Sequence, residues 1–229
     1  MPAPHNAFKH DLCKRPQIGL WLGLASPLIA ELCARRGVDW LVIDGEHAPN
    51  DIQTILSQLQ AIGQTSAHSV VRVPIGEVWL IKQMLDLGAQ NLLVPMVETP
   101  AQAAELVASV TYPPKGIRGV GAGLARASEF NGITDYLSTA REQICLLLQV
   151  ESRIGMDNID GIAATEGVDG VFIGPADLAA DMGHLGNPAA AEVQAAVEDG
   201  IARILAHGKA AGILTSDPEL AQRYIELGA

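Results

Sequence analysis

The chain has 229 residues, 48% of them hydrophobic, and a formal net charge of −11 at pH 7. This length and apolar content suffice for one full hydrophobic core and are short for two, so we predict a single domain over residues 1–229. The acidic balance, without any run of Lys or Arg, argues against nucleic acid or an anionic membrane as the main partner.

Short apolar runs alternate with helical patterns along the chain. The predicted strands are residues 17–24, 39–44, 69–73, 91–96, 144–150, 170–174 and 212–216. Helical patterns lie between them, such as 26–37, which ends on a glycine, and 50–63, which opens on Asn50 as its N-cap. Strands that are apolar on both faces and separated by helices indicate a parallel sheet covered on both sides. We therefore predict an α/β fold, a (β/α)8 TIM-type barrel, with a doubly wound open sheet as the alternative.

The predicted barrel is incomplete at its end. The sequence stops at Ala229 with a helix predicted over 217–228, where a barrel needs an eighth strand and a final helix. We expect both to be absent from the given chain. A barrel open at one seam would expose an apolar edge unless a partner covers it.

The cysteines and the lengths of the apolar segments predict where in the cell the protein is found. Cys13, Cys33 and Cys145 show neither CxxC spacing nor an even set, which predicts reduced thiols in the cytoplasm, with Cys145 filling the core. No N-terminal stretch resembles a signal peptide, and we expect no segment to span a membrane.

Two acidic residues follow neighbouring predicted strands. Glu151 comes directly after 144–150, and Asp177 comes shortly after 170–174. Neighbouring strands lie ~5 Å apart, so two acids at their ends are placed to share one divalent cation. Oxygen-only ligands favour Mg²⁺ or Mn²⁺ over a structural zinc. The alternative is that both acids cap the N-termini of helices.

Other polar residues also follow predicted strands, at the end where barrel enzymes place their chemistry. They are Asp44, Glu46, His47, Arg72, Glu98 and Gln149. Gln149 shares a face with Glu151 because side chains alternate along a strand. Together these residues favour a site for an anion and a metal. Singly, His47 is also explained as a helix-start residue, and Arg72 as an ion-pair partner at an interface.

The turn Gly174-Pro175-Ala176-Asp177 is suited to an anion. Gly174 lets a ligand approach the backbone closely, and Pro175 presets the first helical φ angle. The amides of Ala176 and Asp177 would then point out of a helix N-terminus, where a carboxylate is favoured. The glycine-rich stretch 116–123 is not a dinucleotide fingerprint. We expect a flexible loop near the rim, or a subunit contact, with Arg118 and Arg126 as candidate substrate contacts.

Eight distinctive runs are spread over nearly the whole length of the chain. They are PQIGLWLGL, DWLVIDGEHAPND, VVRVP, LLVPMVET, YPPKGIRGVG, LARAS, VFIGPADLAADMG and YIELGA. These runs resemble the metal-dependent (class II) hydroxy-keto-acid aldolase family, and within it the 4-hydroxy-2-oxoheptanedioate (2,4-dihydroxyhept-2-ene-1,7-dioate) aldolases of bacterial aromatic catabolism. Related 2-keto-3-deoxy-sugar-acid aldolases share much of this pattern and are kept as an alternative.

The resemblance implies a lyase that reversibly splits 4-hydroxy-2-keto acids into pyruvate, or hydroxypyruvate, and an aldehyde such as succinic semialdehyde. It implies Mg²⁺, Mn²⁺ or Co²⁺ as the cofactor. The partners it implies are a small-molecule keto acid and an aldehyde, with no nucleic acid and no membrane. It also implies a homohexamer.

The resemblance further assigns roles to single residues. Glu151 and Asp177 would be the metal ligands, and Gln149, with the Gly174-Pro175-Ala176 turn, would hold the carboxylate and keto group of the substrate. Arg72 would stabilise the transition state, and His47 would be the general base for the C4 hydroxyl. Asp86 would raise the basicity of that histidine, whereas the sequence alone indicates a helix-surface residue.

Two other functions compete with this one. A Schiff-base aldolase needs a lysine inside the barrel, but Lys9, Lys14, Lys82, Lys115 and Lys209 all fall in predicted helices, tails or loops. A non-catalytic keto-acid binder would keep the anion-binding turn without any need for a base.

Overall fold

The computed structural model describes residues 1–229 and contains one seven-stranded sheet. The strands are β1 (Gly19–Leu22), β2 (Trp40–Asp44), β3 (His68–Arg72), β4 (Asn91–Val94), β5 (Cys145–Val150), β6 (Gly170–Ile173) and β7 (Ala210–Ile213). They follow one another in the sheet in chain order, with parallel pairing. This confirms the predicted parallel α/β sheet and is consistent with a TIM-type barrel. The absence of an eighth strand stays a prediction.

Helices separate the strands. They are α1 (Ala7–Asp11), α2 (Pro27–Ala34), α3 (Ile52–Ile62), α4 (Val78–Asp86), α5 (Pro100–Ser109), α6 (Tyr136–Thr139), α7 (Arg153–Asp157), α8 (Ile159–Ala164), α9 (Pro175–Asp181), α10 (Ala191–Ala206) and α11 (Pro218–Leu227). Short 3-10 turns cover Ala122–Leu124, Arg126–Ser128 and Ala140–Gln143. The β–α alternation forces parallel strands, because each helix returns the chain to the same edge of the sheet.

Several predicted boundaries differ from the observed ones by up to three residues, and the contacts explain two of these differences. The N-cap of α3 is Asp51, whose carboxylate accepts the Thr54 N–H at 2.7 Å in a capping box. The predicted cap, Asn50, instead donates its side-chain amide to the Asp44 carbonyl at 2.7 Å, which ties α3 to the end of β2. β7 begins two residues earlier than the predicted 212–216, because Ala210 and Ala211 pair with Gly170 and Val171 of β6.

The chain divides into two compact units, and the first comprises Met1–Asp11, Gln17–Leu93 and Leu106–Cys145. Its strands are apolar and buried at Leu41, Val42, Ile43, Val70 and Val71, as a sheet covered on both faces requires. A smaller apolar cluster joins the N-terminus to the segment before β5. It contains Ala3, Ala122, Ile133, Tyr136 and Ala140.

The second unit comprises Leu12–Pro16, Val94–Glu105 and Leu146–Ala229. Its longest helix, α10, contacts β6, β7 and α8. The buried residues of α10, Val193, Val197, Ile201 and Ile204, recur every three to four positions and so form one apolar stripe. The prediction of a single domain over 1–229 stays a prediction.

None of the helices combines the length and apolar character needed to cross a bilayer. Cys145 is fully buried at the start of β5, which confirms its predicted place in the core.

Candidate active site

In the first unit, the end of β2 and the end of β3 meet through an ion pair. Asp44 and Arg72 are direct partners in the parallel register of the two strands. Arg72 donates from Nε and Nη2 to the two carboxylate oxygens of Asp44 at 2.9 and 2.7 Å. Both side chains are nearly excluded from solvent. Such a two-point pair fixes the plane of the guanidinium as well as its position.

Asp44 and Arg72 make further contacts, and these determine the protonation state of Asp44. Nη1 of Arg72 lies 2.6 Å from a carboxylate oxygen of Glu46, so one guanidinium serves two acids. Burial alone would raise the pKa of Asp44, but the hydrogen bonds from Arg72 and from the Glu46 N–H outweigh it, and the pKa is lowered. Asp44 is therefore a carboxylate at neutral pH. Trp21 on β1 donates its indole N–H to Asp44 at 3.3 Å, and its ring centroid lies 5.0 Å from the guanidinium carbon.

His47 lies in the turn that Asp44 organises. The Asp44 carboxylate accepts the backbone N–H groups of Glu46 and His47 at 3.0 and 3.3 Å. The imidazole itself is 68% exposed, and its Nε2 lies 3.8 Å from a Glu46 carboxylate oxygen. The structure thus presents His47 as an accessible imidazole on an ordered turn, and its role as a general base stays a prediction.

Asp86, the last residue of α4, pairs with Arg118 and makes no hydrogen bond to His47. Its Oδ1 accepts from Nη2 of Arg118 at 2.8 Å. The guanidinium of Arg118 is completely buried between the rings of Tyr112 and Tyr136, at 4.4 and 5.8 Å from the two centroids. This burial argues against the predicted contact of Arg118 with substrate. Arg126 donates to the Leu87 carbonyl at 2.8 Å and so also binds the chain after α4.

In the second unit, Gln149 and Glu151 form a buried polar pair at the end of β5. The side-chain amide of Gln149 donates a hydrogen bond to Oε2 of Glu151, which confirms that the two share a face of the strand. Oε1 of Glu151 accepts the Met96 N–H at 2.8 Å. Met96 has a left-handed backbone, φ 59°, a conformation that costs a non-glycine residue about 1 kcal/mol or more. The residue that holds the Glu151 carboxylate therefore has a strained backbone.

The Gly174-Pro175-Ala176-Asp177 turn begins α9 as predicted, with Pro175 in the first helical turn and Asp177 exposed. Gly174 is needed for space. A Cβ there would overlap Oε2 of Glu151 and lie 2.8 Å from its Cβ, closer than real Cβ atoms come, and it would lie 3.1 Å from Nε2 of Gln149, which is a tight contact. The sequence predicted that a ligand approaches this glycine; in the structure, the side chains of Gln149 and Glu151 do so.

The side-chain oxygen atoms at the end of β5 in the second unit are of the kind that binds a hard divalent cation. Oε1 of Gln149 is buried and has no hydrogen-bond partner, next to the buried carboxylate of Glu151. Buried polar atoms without partners are rare and are expected where a ligand belongs. Carboxylate and amide oxygens are the ligands that Mg²⁺ and Mn²⁺ prefer. No group of three or more His, Cys, Asp or Glu side chains has metal-binding geometry, so a cation here would complete its shell with water and substrate.

Three residues around these sets were not anticipated as contributors. Trp21 and Met96 lie in apolar runs that predict only core or strand, and Asp181, whose carboxylate accepts the Arg153 N–H, carries no local motif. The positive φ at Met96 has no signal in its residue type, because left-handed backbone favours Gly, Asn and Asp. The lysines all lie outside the strands, as predicted.

Comparison with known proteins places this geometry in context. A family model described as HpcH/HpaI aldolase/citrate lyase matches residues 17–229. The chain is 61% identical over 225 residues to a hydroxypyruvate/pyruvate aldolase of Deinococcus radiodurans, covering 98% of this chain and 81% of that protein. It is 57% identical over 225 residues to a 4-hydroxy-2-oxo-heptane-1,7-dioate aldolase of Escherichia coli, covering 98% and 86%. A crystal structure of an HpcH/HpaI aldolase/citrate lyase family protein from Burkholderia cenocepacia J2315 matches with a TM-score of 0.94 at 45% identity, covering 97% and 90%.

Proposed function

Because the chain belongs to the HpcH/HpaI aldolase/citrate lyase family and is an aldolase, we propose that it cleaves 4-hydroxy-2-keto acids with the help of a divalent cation. The products are pyruvate or hydroxypyruvate and an aldehyde, and the reaction is reversible. The observation that carries the proposal is the buried Gln149–Glu151 pair, whose unpartnered amide oxygen lies beside a carboxylate. The name of the Deinococcus radiodurans relative supports both keto-acid products, pyruvate and hydroxypyruvate.

Glu151 and Asp177 are the proposed ligands of the cation, which is Mg²⁺, Mn²⁺ or Co²⁺. When bound, it supplies Lewis acidity toward the 2-keto oxygen of the substrate. Gln149, together with the Gly174-Pro175-Ala176 turn, holds the carboxylate and keto end of the keto acid. Because these contacts bind only the keto-acid end of the substrate, the part that becomes the aldehyde is less constrained. We therefore expect the enzyme to accept several aldehydes.

His47 is the proposed acceptor of the C4 hydroxyl proton, and Arg72 is proposed to stabilise the negative charge that develops. His47 takes the proton of the C4 hydroxyl, the C3–C4 bond breaks, and its electron pair passes into the enolate of pyruvate while C4 becomes the carbonyl carbon of the aldehyde. The enolate then takes up one proton at C3 to give pyruvate, and His47 releases the proton that it took from the hydroxyl, so the cleavage consumes no net proton. Arg72, already oriented by Asp44, offers positive charge and hydrogen-bond donors where negative charge develops. Asp86 is proposed to act on the basicity of His47.

The test is pyruvate release from 4-hydroxy-2-oxoheptanedioate, before and after EDTA and with Mg²⁺, Mn²⁺ or Co²⁺ restored. Cleavage that is lost with EDTA and returns with a divalent ion supports the proposal. Cleavage that EDTA leaves unchanged contradicts it and indicates a lysine imine, which borohydride with pyruvate would trap. Release from a 2-keto-3-deoxy sugar acid but not from the dioate favours the alternative substrate class.

We also propose that the protein assembles as a homohexamer in the cytoplasm and serves aromatic catabolism. Large apolar side chains are exposed along the segment 117–130, with Leu124 92%, Phe130 70% and Val120 66% exposed. Exposed apolar surface of this kind is typical of an interaction site. Light scattering that shows a monomer would contradict the assembly.

A further inference from the structure

Asp181, the last residue of α9, binds the first residue of α7. Its Oδ2 accepts the backbone N–H of Arg153 at 2.7 Å and the Nε of the same residue at 3.3 Å. Arg153 lies two residues after Glu151. The carboxylate of Asp181 therefore joins the end of α9 to the segment that carries Glu151, across 28 residues of sequence.

The contact also sets the rotation of α9 about its axis. Asp177 and Asp181 are four residues apart in this helix, so their side chains leave the same face one turn apart. Because Asp181 reaches Arg153, that face is turned toward the segment after β5. The helix would carry Asp177 away from this segment if it rotated.

The residues after β5 are anchored one by one. Glu151 accepts from Met96 and Gln149. Ser152 donates to Glu98 at 2.7 Å and caps α7 by accepting from the Gly155 N–H at 3.1 Å. Asp181 holds Arg153, and of these anchors it alone comes from the helix that carries Asp177.

We infer that Asp181 is a positioning residue for the proposed cation site, one that fixes the spacing between Glu151 and Asp177. The inference rests on the proposed function, since it assumes that these two carboxylates bind the cation. The Arg153 N–H lowers the pKa of Asp181, so the anchor is a carboxylate at neutral pH. A role limited to capping α7 would change stability and leave cation affinity alone.

The chain offers a matched control on the same unit. Asp160 of α8 binds Arg203 and His207 of α10 and its flank, with Oδ2 2.6 Å from Arg203 Nη2 and Oδ1 3.0 Å from His207. Its side chain is 51% exposed, compared with 39% for Asp181. Asp160→Ala thus removes a comparable bridge between two helices and leaves the hydrogen-bond partners of Glu151, Ser152 and Arg153 in place.

The experiment is Mn²⁺ binding to EDTA-treated protein, followed by the EPR signal of free Mn²⁺, with the thermal unfolding of each metal-free variant measured alongside. Asp181→Ala should weaken Mn²⁺ binding about tenfold, as loss of a residue that orients ligands does. Asp181→Asn keeps an oxygen for the Arg153 N–H and should stay within about twofold to threefold. Asp160→Ala should bind as the wild type does. If Asp181→Ala does not fold, Asp181→Glu, which keeps the charge and displaces the acceptor, should show the weakened binding.

Three results would overturn the inference. They are wild-type affinity in Asp181→Ala or in its substitute Asp181→Glu, an equal loss in Asp160→Ala, and no rescue by Asp181→Asn. A wild type that binds no Mn²⁺, or a Glu151→Ala variant that binds it normally, overturns the proposed cation site itself and the inference with it. The two failures are distinguishable because Glu151→Ala reports on the site alone.

Discussion

Arg72 donates two hydrogen bonds to the carboxylate of Asp44, its direct partner in the parallel register of β2 and β3, at 2.9 and 2.7 Å. The same guanidinium reaches Glu46 at 2.6 Å. The guanidinium lies between two carboxylates in a nearly solvent-free environment and is therefore held in one orientation. Its charge and its N–H groups keep a fixed position as a result. This pair organises the turn that presents His47.

Replacement of Arg72 should separate orientation from charge. Arg72→Lys keeps the charge but cannot bind both oxygens of Asp44 and also Glu46, so kcat/KM for pyruvate release should fall about 100-fold. Arg72→Ala leaves Asp44 buried without its partner and should destabilise the protein by about 3–5 kcal/mol in urea unfolding. An Arg72→Lys variant with wild-type kcat/KM would show that only the charge matters.

Asp44 should make stability depend on acid pH. Its folded pKa is lowered below the unfolded value of about 3.9, so its contribution is present above that value and is lost as pH falls through the folded pKa. Asp44→Asn should therefore be less stable than the wild type by about 2 kcal/mol at pH 7, and the gap should narrow below about pH 4. Urea unfolding at pH 7, 5 and 3 measures it. A gap independent of pH would mean that the carboxylate charge contributes nothing.

Gly174→Ala should disturb the second unit at the proposed cation site. The added Cβ overlaps the side chain of Glu151 and presses on Gln149, so unfolding should become easier by about 1–3 kcal/mol and Mn²⁺ binding should weaken. Gly123→Ala is the control, because its nearest heavy atom would lie 4.0 Å away. Equal effects of the two substitutions on Mn²⁺ binding would argue against a specific role for Gly174.

His47→Ala should lower turnover without loss of the cation. The imidazole is 68% exposed, so its removal should cost little stability. We expect kcat to fall about 100- to 10,000-fold, the range for a general base, with Mn²⁺ binding unchanged. Titration of pyruvate into the Mn²⁺-loaded variant supplies the second measurement. Loss of pyruvate binding there would show that His47 is not the base.

Arg118 should be a large contributor to stability despite its charge. It is fully buried between Tyr112 and Tyr136, and Arg118→Ala removes this packing and the partner of Asp86. We expect a loss of about 3–5 kcal/mol in urea unfolding. Arg35→Ala, which removes an exposed pair with Glu31, should cost no more than about 1 kcal/mol and serves as the control.

Burial raises the pKa of Tyr112, next to Arg118, to about 12. The absorbance change of this tyrosine should therefore occur at a higher pH in the wild type than that of a free tyrosine.

The strands and the candidate residues were accessible from the sequence because their signals are local. Buried strands appear as short apolar runs, and a helix start shows its capping residues, so β2 and the proline turn of α9 lie where predicted. The common face of Gln149 and Glu151 was also predictable, since it follows from alternation along one strand, whereas their hydrogen bond was not. Errors arose where two local signals competed, as at Asn50 and Asp51, both of which suit an N-cap.

Local patterns in the sequence suffice to predict the parallel α/β alternation, the polar residues at the strand ends and the family. Which charged side chains bind one another is known only from the folded chain: Arg72 with Asp44, Arg118 with Asp86, and Arg153 with Asp181. These partners are 28 to 32 residues apart. Their meeting depends on strand register and on the rotation of packed helices, which are consequences of the whole core and have no local pattern.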